Sequence, residues 1–143
     1  MVDKALILRK LAELEVYHGQ IKEYDDIPVD QYMSDWKIQR IIERTLQMMI
    51  ETCADIAGHI ISDKGYRVPK SYAETFRILH EENVLGEKLR EPMEKMAKFR
   101  NIVVHSYDKV DAEIVVRILR NHLDDFLKYR NAIVAFLKRT DEA

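Results

Sequence analysis

WKIQRIIERTLQMMIETCADIAGHII, residues 36–61, carries apolar pairs at Ile41/Ile42, Met48/Met49 and Ile60/Ile61, with Leu46, Cys53, Ile56 and Ala57 between them. Steps of three and four residues put these side chains on one side of an α-helix, because each residue advances the chain by about 100°. No proline interrupts the run. The spacing predicts the longest core helix from Ser34 to about Ser62, with Gly65 supplying its C-terminal stop. A helix of that length with an apolar side needs other elements to cover it, and the flanking sequence is helical in period on both sides.

Towards the N-terminus, residues 2–24 repeat apolar or small positions at Ala5, Leu8, Leu11, Ala12, Val16, Gly19 and Tyr24, which predicts an amphipathic helix stopped by Asp25-Asp26-Ile27-Pro28. Beyond the long helix, Pro69-Lys70-Ser71 leads into a short helix to about Glu82, with Ser71 and Glu74 in a capping-box pattern. Gly86 and Pro92 bracket the next start, Pro92 suiting the first turn of a helix that covers Met93, Met96, Ala97 and Phe99 and ends at His105. Asp108 and Asp111 mark a turn and an N-cap. A last helix from about Ala112 to Lys138 groups Ile114, Ile118, Leu119, Leu123, Phe126, Leu127, Ile133, Phe136 and Leu137 on a broad apolar face. Ile102-Val103-Val104 is too short a β-branched run to read as a strand. The fold class expected is all-α, an antiparallel four- to five-helix bundle, with residues 1–143 forming a single domain.

With 143 residues, the chain is long enough to bury a real core without staples. Hydrophobic residues at 47% and charged residues at 34% fit a water-soluble helical protein. Cys53 is the sole cysteine, so no bridge forms within the chain and a reducing, cytoplasmic setting is expected. The apolar run Ala5-Leu6-Ile7-Leu8 is too short for an export signal, with charges following at once at Arg9 and Lys10. No apolar stretch approaches the roughly 20 residues that span a bilayer, and no membrane association is expected. A formal charge of -2 excludes a global attraction to nucleic acid, so any anion-binding surface has to be local.

Phosphate-cradling motifs are absent: neither GxxxxGK[ST] nor GxGxxG occurs. There is no HExxH and no paired cysteine. A metal site from His122 with Asp124 or Asp125 is conceivable, but a solvated, charged helix face accounts for these residues better, and no metal or cofactor is expected. The unusual segment is Phe99–Tyr107, where an apolar helix ends in Arg, Asn, His and Tyr within a few positions. Asn101 and His105 share a helical face at i and i+4, and Arg100 and Tyr107 a neighbouring one at i and i+7. Arg100 and His105 stand about 140° apart on an ideal helix. Their convergence requires a distorted last turn, a long Arg reaching round, or a second copy of the segment across a two-fold axis. Lys95 and Lys98 make the neighbourhood positive and hospitable to phosphate. Each residue also has an ordinary reading: a helix-end Arg, a His favoured by the helix dipole, an amphipathic Tyr.

Arg100-Asn101-Ile102-Val103-Val104-His105-Ser106-Tyr107 resembles the Arg-x4-His-x-Tyr motif of the HepT family, the HEPN-domain ribonuclease toxins of prokaryotic toxin–antitoxin modules. The likeness extends over nearly the whole chain. It includes Leu11-Ala12-Glu13-Leu14, Asp35-Trp36-Lys37-Ile38-Gln39-Arg40 with Glu43-Arg44, Asp55-Ile56-Ala57-Gly58-His59-Ile60-Ile61, Val68-Pro69-Lys70-Ser71-Tyr72, and Leu119-Arg120-Asn121-His122-Leu123-Asp124-Asp125. Gly58 stands where the family leads one to expect Asn.

The resemblance implies a homodimeric HEPN-like bundle whose motifs from both protomers line one cleft. It implies the toxin of a type VII toxin–antitoxin system, a metal-independent endoribonuclease acting on RNA, with a cognate MntA-type nucleotidyltransferase antitoxin that transfers AMP to the motif tyrosine, here Tyr107. Metal-free RNA cleavage needs a base for the 2′-OH, an acid for the 5′-oxygen and positive charge at phosphorus. An imidazole such as that of His105 exchanges protons near neutral pH. The guanidinium of Arg100 can hold the non-bridging oxygens, and Asn101 can orient His105 or the phosphate. Arg40, Arg44, Asp55 and His59, with Gln47 and Glu51 on the same stripe of the long helix, could line the cleft, or form a solvated stripe or a dimer face. The rival function is a catalytically silent HEPN module that binds nucleotide or serves as an interaction partner of a nucleotidyltransferase.

Overall fold

The structure is a computed structural model describing residues 2–142, with side chains described as far as residue 140. Asp35 begins the long helix: its carboxylate accepts from the backbone N–H groups of Lys37 and Ile38, satisfying two donors that the first turn leaves free. The helix, α3, runs Trp36–Lys64 and ends where Gly65 adopts a left-handed φ of 69°. The remaining helices are α1 (Lys4–Ile21), α2 (Val29–Ser34), α4 (Tyr72–Glu81), α5 (Glu87–His105), α6 (Ala112–Asn121) and α7 (Leu123–Glu142). No strand occurs among the described residues.

Helix α3 is the spine. Helix α1 lies along it, α4 and α5 pack on each other and on α3, and α7 closes the bundle against α1 and α5. Helix α2 bridges α3 and α6. One contiguous apolar core draws on all of them, from Ile7, Leu11 and Leu14 through Leu46, Met49 and Ile56 to Phe126, Ile133 and Phe136. At its centre Tyr129 meets the edge of Phe76, ring centroids 5.7 Å apart, and donates its hydroxyl to the Cys53 carbonyl at 2.7 Å. Burial pushes the Cys53 thiol well above its ordinary range, which keeps it an apolar filler.

The structure corrects four sequence expectations. The buried stripe of α1 is Ile7, Leu11, Leu14, His18 and Ile21, leaving Ala5, Leu8, Ala12, Val16 and Gly19 exposed. Both stripes have helical period, and the one with two Ile and two Leu removes more apolar area from water than one built on Ala and Gly. Helix α2, not expected, follows Pro28 as a single short element whose Tyr32 is buried. Helix α5 starts at Glu87 with Gly86 at its N-cap, so Pro92 sits in the second turn rather than the first. The expected final helix is two, broken at His122, where φ is -125° and ψ is 1°. Asp124 and Asp125 then lie in the first turn of α7, where the helix dipole favours acids. The bundle thus has seven helices among the described residues instead of four or five.

Candidate functional site

Helix α5 ends at His105 because the next residue, Ser106, leaves helical geometry at φ -146° and ψ 47°. Its N–H closes the last turn on the Ile102 carbonyl at 2.8 Å, and a single 3-10 turn follows over Tyr107–Lys109. Asp111 caps α6 by accepting from the Glu113 N–H at 2.9 Å. The motif Arg100–Tyr107 therefore spans a helix end and a tight turn, and its side chains leave in different directions.

Arg100 is the most constrained of them. Its Nε donates to Glu51 Oε2 at 2.9 Å, and Gln47 Nε2 donates to the same oxygen at 2.9 Å. Nη1 donates to Asn101 Oδ1 at 3.2 Å, while the guanidinium plane lies over the Tyr72 ring, 4.6 Å from its centroid. Tyr72 is set there by the start of α4, which Ser71 caps through the Glu74 N–H at 3.1 Å. The result is a guanidinium held by a carboxylate, an amide and an aromatic face, a combination that fixes its plane.

Arg100 and Asn101 line an open cleft of about 900 Å³ together with Tyr17, Glu51, Asp55, Lys70 and Tyr72. Both carboxylates are already neutralised: Glu51 by Arg100, and Asp55 by Lys10 at 2.5 Å. Lys70 is exposed and makes no ion pair among the described residues, so the cleft keeps spare positive charge.

Tyr107 faces elsewhere. With Arg40, Glu43, Arg44, Gln47 and Val103 it lines a separate hollow of about 370 Å³. The Arg40 guanidinium stands 6.0 Å from its ring centroid. Glu43, buried at the base, accepts from Tyr32 Oη at 2.7 Å. Burial, then that hydrogen bond and the Glu43 charge, push the Tyr32 hydroxyl well above its ordinary range, so it remains a donor. His105 is exposed, lines neither space and makes no hydrogen bond or ion pair among the described residues.

The stripe expected on α3 is thus divided. Arg40, Arg44 and Gln47 face the hollow, Glu51 and Asp55 the cleft. His59 lines neither and sits 3.7 Å from Asp55, whose other carboxylate oxygen pairs with Lys10. Asn101 holds Arg100 rather than His105. The i, i+7 pairing of Arg100 with Tyr107 is lost, because α5 stops two residues before Tyr107. Sequence reasoning placed Glu51 on the stripe of the long helix and Tyr72 directly after a capping serine, but missed that both hold Arg100. His122 Nδ1 pairs with Asp125 Oδ2 at 3.0 Å, and no group of three metal-ligating side chains occurs among the described residues.

Residues 14–133 match the family described as Ribonuclease HepT-like. The mRNA nuclease HepT of Shewanella oneidensis is 31% identical over 91% of this chain and 97% of its own length. The tRNA nuclease HepT of Aphanizomenon flos-aquae is 28% identical over 99% of this chain and 96% of its own. Among solved structures, the tri-AMPylated HEPN toxin of Shewanella oneidensis in complex with its MNT antitoxin superposes with a TM-score of 0.83 at 30% identity, covering 94% of this chain and 99% of that one.

Proposed function

The chain belongs to the Ribonuclease HepT-like family, and on that premise we propose that it is the toxin of a type VII toxin–antitoxin pair, an endoribonuclease that cleaves RNA without a metal ion. The observation that carries this reading is Arg100, fixed on the wall of the cleft by Glu51, Asn101 and Tyr72, five residues before an exposed His105 that has no partner among the described residues. An Arg whose plane is set in advance stabilises charge at phosphorus with little reorganisation. An exposed imidazole at a helix end can reach a substrate hydroxyl.

In this reading a base takes the 2′-OH proton, the 2′-oxygen bonds to phosphorus, and the bond from phosphorus to the 5′-oxygen breaks as an acid protonates the leaving oxygen. The products are a 2′,3′-cyclic phosphate and a free 5′-hydroxyl. His105 serves one proton transfer and the His105 of a second protomer the other, while Arg100 holds the non-bridging oxygens and Asn101 keeps Arg100 in place. Arg100 lies in the cleft and His105 outside it, which supports a site completed across a homodimer.

Silencing follows the same relatives. An MntA-type nucleotidyltransferase antitoxin transfers AMP from ATP to Tyr107: the Tyr107 oxygen bonds to the α-phosphorus, pyrophosphate leaves, and the phenolic proton is released. The Tyr107 side chain is exposed and open to such a partner. No described helix is long and apolar enough to cross a membrane, and a cytoplasmic location fits the single-domain toxin reading.

The purified chain incubated with total RNA in EDTA should cleave it, and His105→Ala should slow cleavage by about a hundredfold or more. No cleavage by either protein would favour the silent interaction module instead, and equal cleavage by the two would sink the assignment of the activity to His105. Cleavage abolished by EDTA and restored by a divalent ion would refute the metal-free mechanism.

A further inference from the structure

We propose that the hollow between α3 and the turn after α5 is a phosphodiester-binding pocket that takes up the adenylate once it is carried on the Tyr107 hydroxyl. This rests on the reading that Tyr107 is the nucleotidylated residue. The pocket measures about 370 Å³, and Tyr107 forms one of its walls.

Charge is the first argument. Arg40 and Arg44 both line the hollow, and the one carboxylate facing them is Glu43. Glu43 is 4.0 Å from Arg40 and already accepts a hydrogen bond from Tyr32 at 2.7 Å. Arg44 is exposed and has no ion pair among the described residues. An unmodified tyrosine side chain has no need of two guanidinium groups. A phosphodiester on that phenol brings one negative charge and two non-bridging oxygens, the acceptor geometry that an Arg fork matches.

Position is the second. Arg40 stands 6.0 Å from the Tyr107 ring centroid, so a phosphate on the hydroxyl remains within reach of a long, exposed side chain. Val103 gives the hollow an apolar floor for a base, and the Gln47 amide a polar edge. Tyr107 does not line the cleft and Arg100 does not line the hollow, yet Gln47 belongs to the hollow and donates to the carboxylate that holds Arg100. A nucleotide parked there lies against the residue that braces the catalytic arginine. Silencing then depends on holding the added group in place, not on its presence alone.

The test compares the unsubstituted chain, Arg40→Ala/Arg44→Ala, and Lys128→Ala/Lys138→Ala, which removes two positive charges elsewhere. Each is treated with an MNT-type nucleotidyltransferase and ATP, and Tyr107-linked AMP is counted by peptide mass. RNA cleavage by the modified protein is divided by that of the same protein unmodified, per mole of linked AMP. The pocket predicts that the arginine double variant loses at least about tenfold of its inhibition while keeping the AMP, and that the lysine variant loses none. Undiminished inhibition of the fully modified arginine variant overturns the pocket. So does a rise in the RNA KM of the unmodified arginine variant that accounts for the whole change, which would assign the hollow to the substrate backbone. Absence of AMP on Tyr107 in the unsubstituted chain refutes the underlying reading instead, and is distinguishable because no mass is gained.

Discussion

Glu51 is the residue on which the geometry of Arg100 turns. It is 49 positions away in sequence and bonds Nε; with Nη1 donating to Asn101, Nη2 is the group left to meet a phosphate. Glu51→Ala should lower kcat for RNA cleavage by roughly tenfold, since a misplaced guanidinium loses alignment rather than charge. The pair is partly exposed, so the melting temperature should move little. Unchanged kcat with a raised KM would show that Arg100 binds substrate without needing Glu51. Arg100, Asn101, His105 and Tyr107 were legible in the sequence as a motif. Their partners were not, because no local pattern ties Arg100 to Glu51 or Tyr107 to Arg40. Asp55 and His59 could be placed on the same stripe as Glu51, yet only the neighbouring α1 decides that Asp55 is taken up by Lys10.

At the scale of single elements, caps explain most boundaries. Asp3, Asp35, Ser71 and Asp111 each accept from a backbone N–H in the following turn. Gly65 ends α3 at φ 69°, and a β-carbon there would meet nothing within 4 Å. The cost of Gly65→Ala is therefore conformational, about 1 kcal/mol, visible as a lower urea midpoint with unchanged m-value. Two element expectations failed for local reasons. Pro92 is tolerated in the second turn of α5, so it did not mark the helix start. The break at His122 has no Gly or Pro; its sign was the acidic pair Asp124-Asp125, which favours a new helix N-terminus but is outweighed in the pattern by continuous apolar spacing.

Across the whole molecule, two buried or half-buried ionisable groups govern acid stability. His18 is buried, its Nε2 without a hydrogen-bond partner among the described residues; burial, then the Lys22 charge, hold it below its ordinary 6.5. A group that prefers to stay neutral when folded contributes its stability above the unfolded value and loses it as pH falls. Burial of Glu94 opposes its charge, but hydrogen bonds from Arg77 and Arg90 outweigh it and leave the carboxyl below its ordinary 4.5. Its contribution is present above that value and lost as pH falls through the lowered one. The melting temperature should decline in two stages, first below about pH 6.5 and again below about pH 4.5, and His18→Leu should flatten the first. An undiminished first stage in that variant would assign it to other groups. Assembly is tested by mixing. When the unsubstituted chain exchanges protomers with an excess of His105→Ala, activity per unsubstituted chain should fall, because a heterodimer carries one of the two histidines that each cleavage needs, whereas activity that stays proportional to the unsubstituted chain would place each complete site within one chain.

The sequence by itself determined the all-helical class, the spine at residues 36–61, most caps and the Arg100–Tyr107 motif, because periodicity and end-capping are written within a few neighbouring residues. The tertiary structure alone decided which stripe of α1 is buried, where the last helix breaks, which carboxylate holds Arg100, and that Tyr107 turns from the cleft into a hollow of its own. Each of those is a choice between local arrangements of similar energy, and packing against a distant element tips the balance.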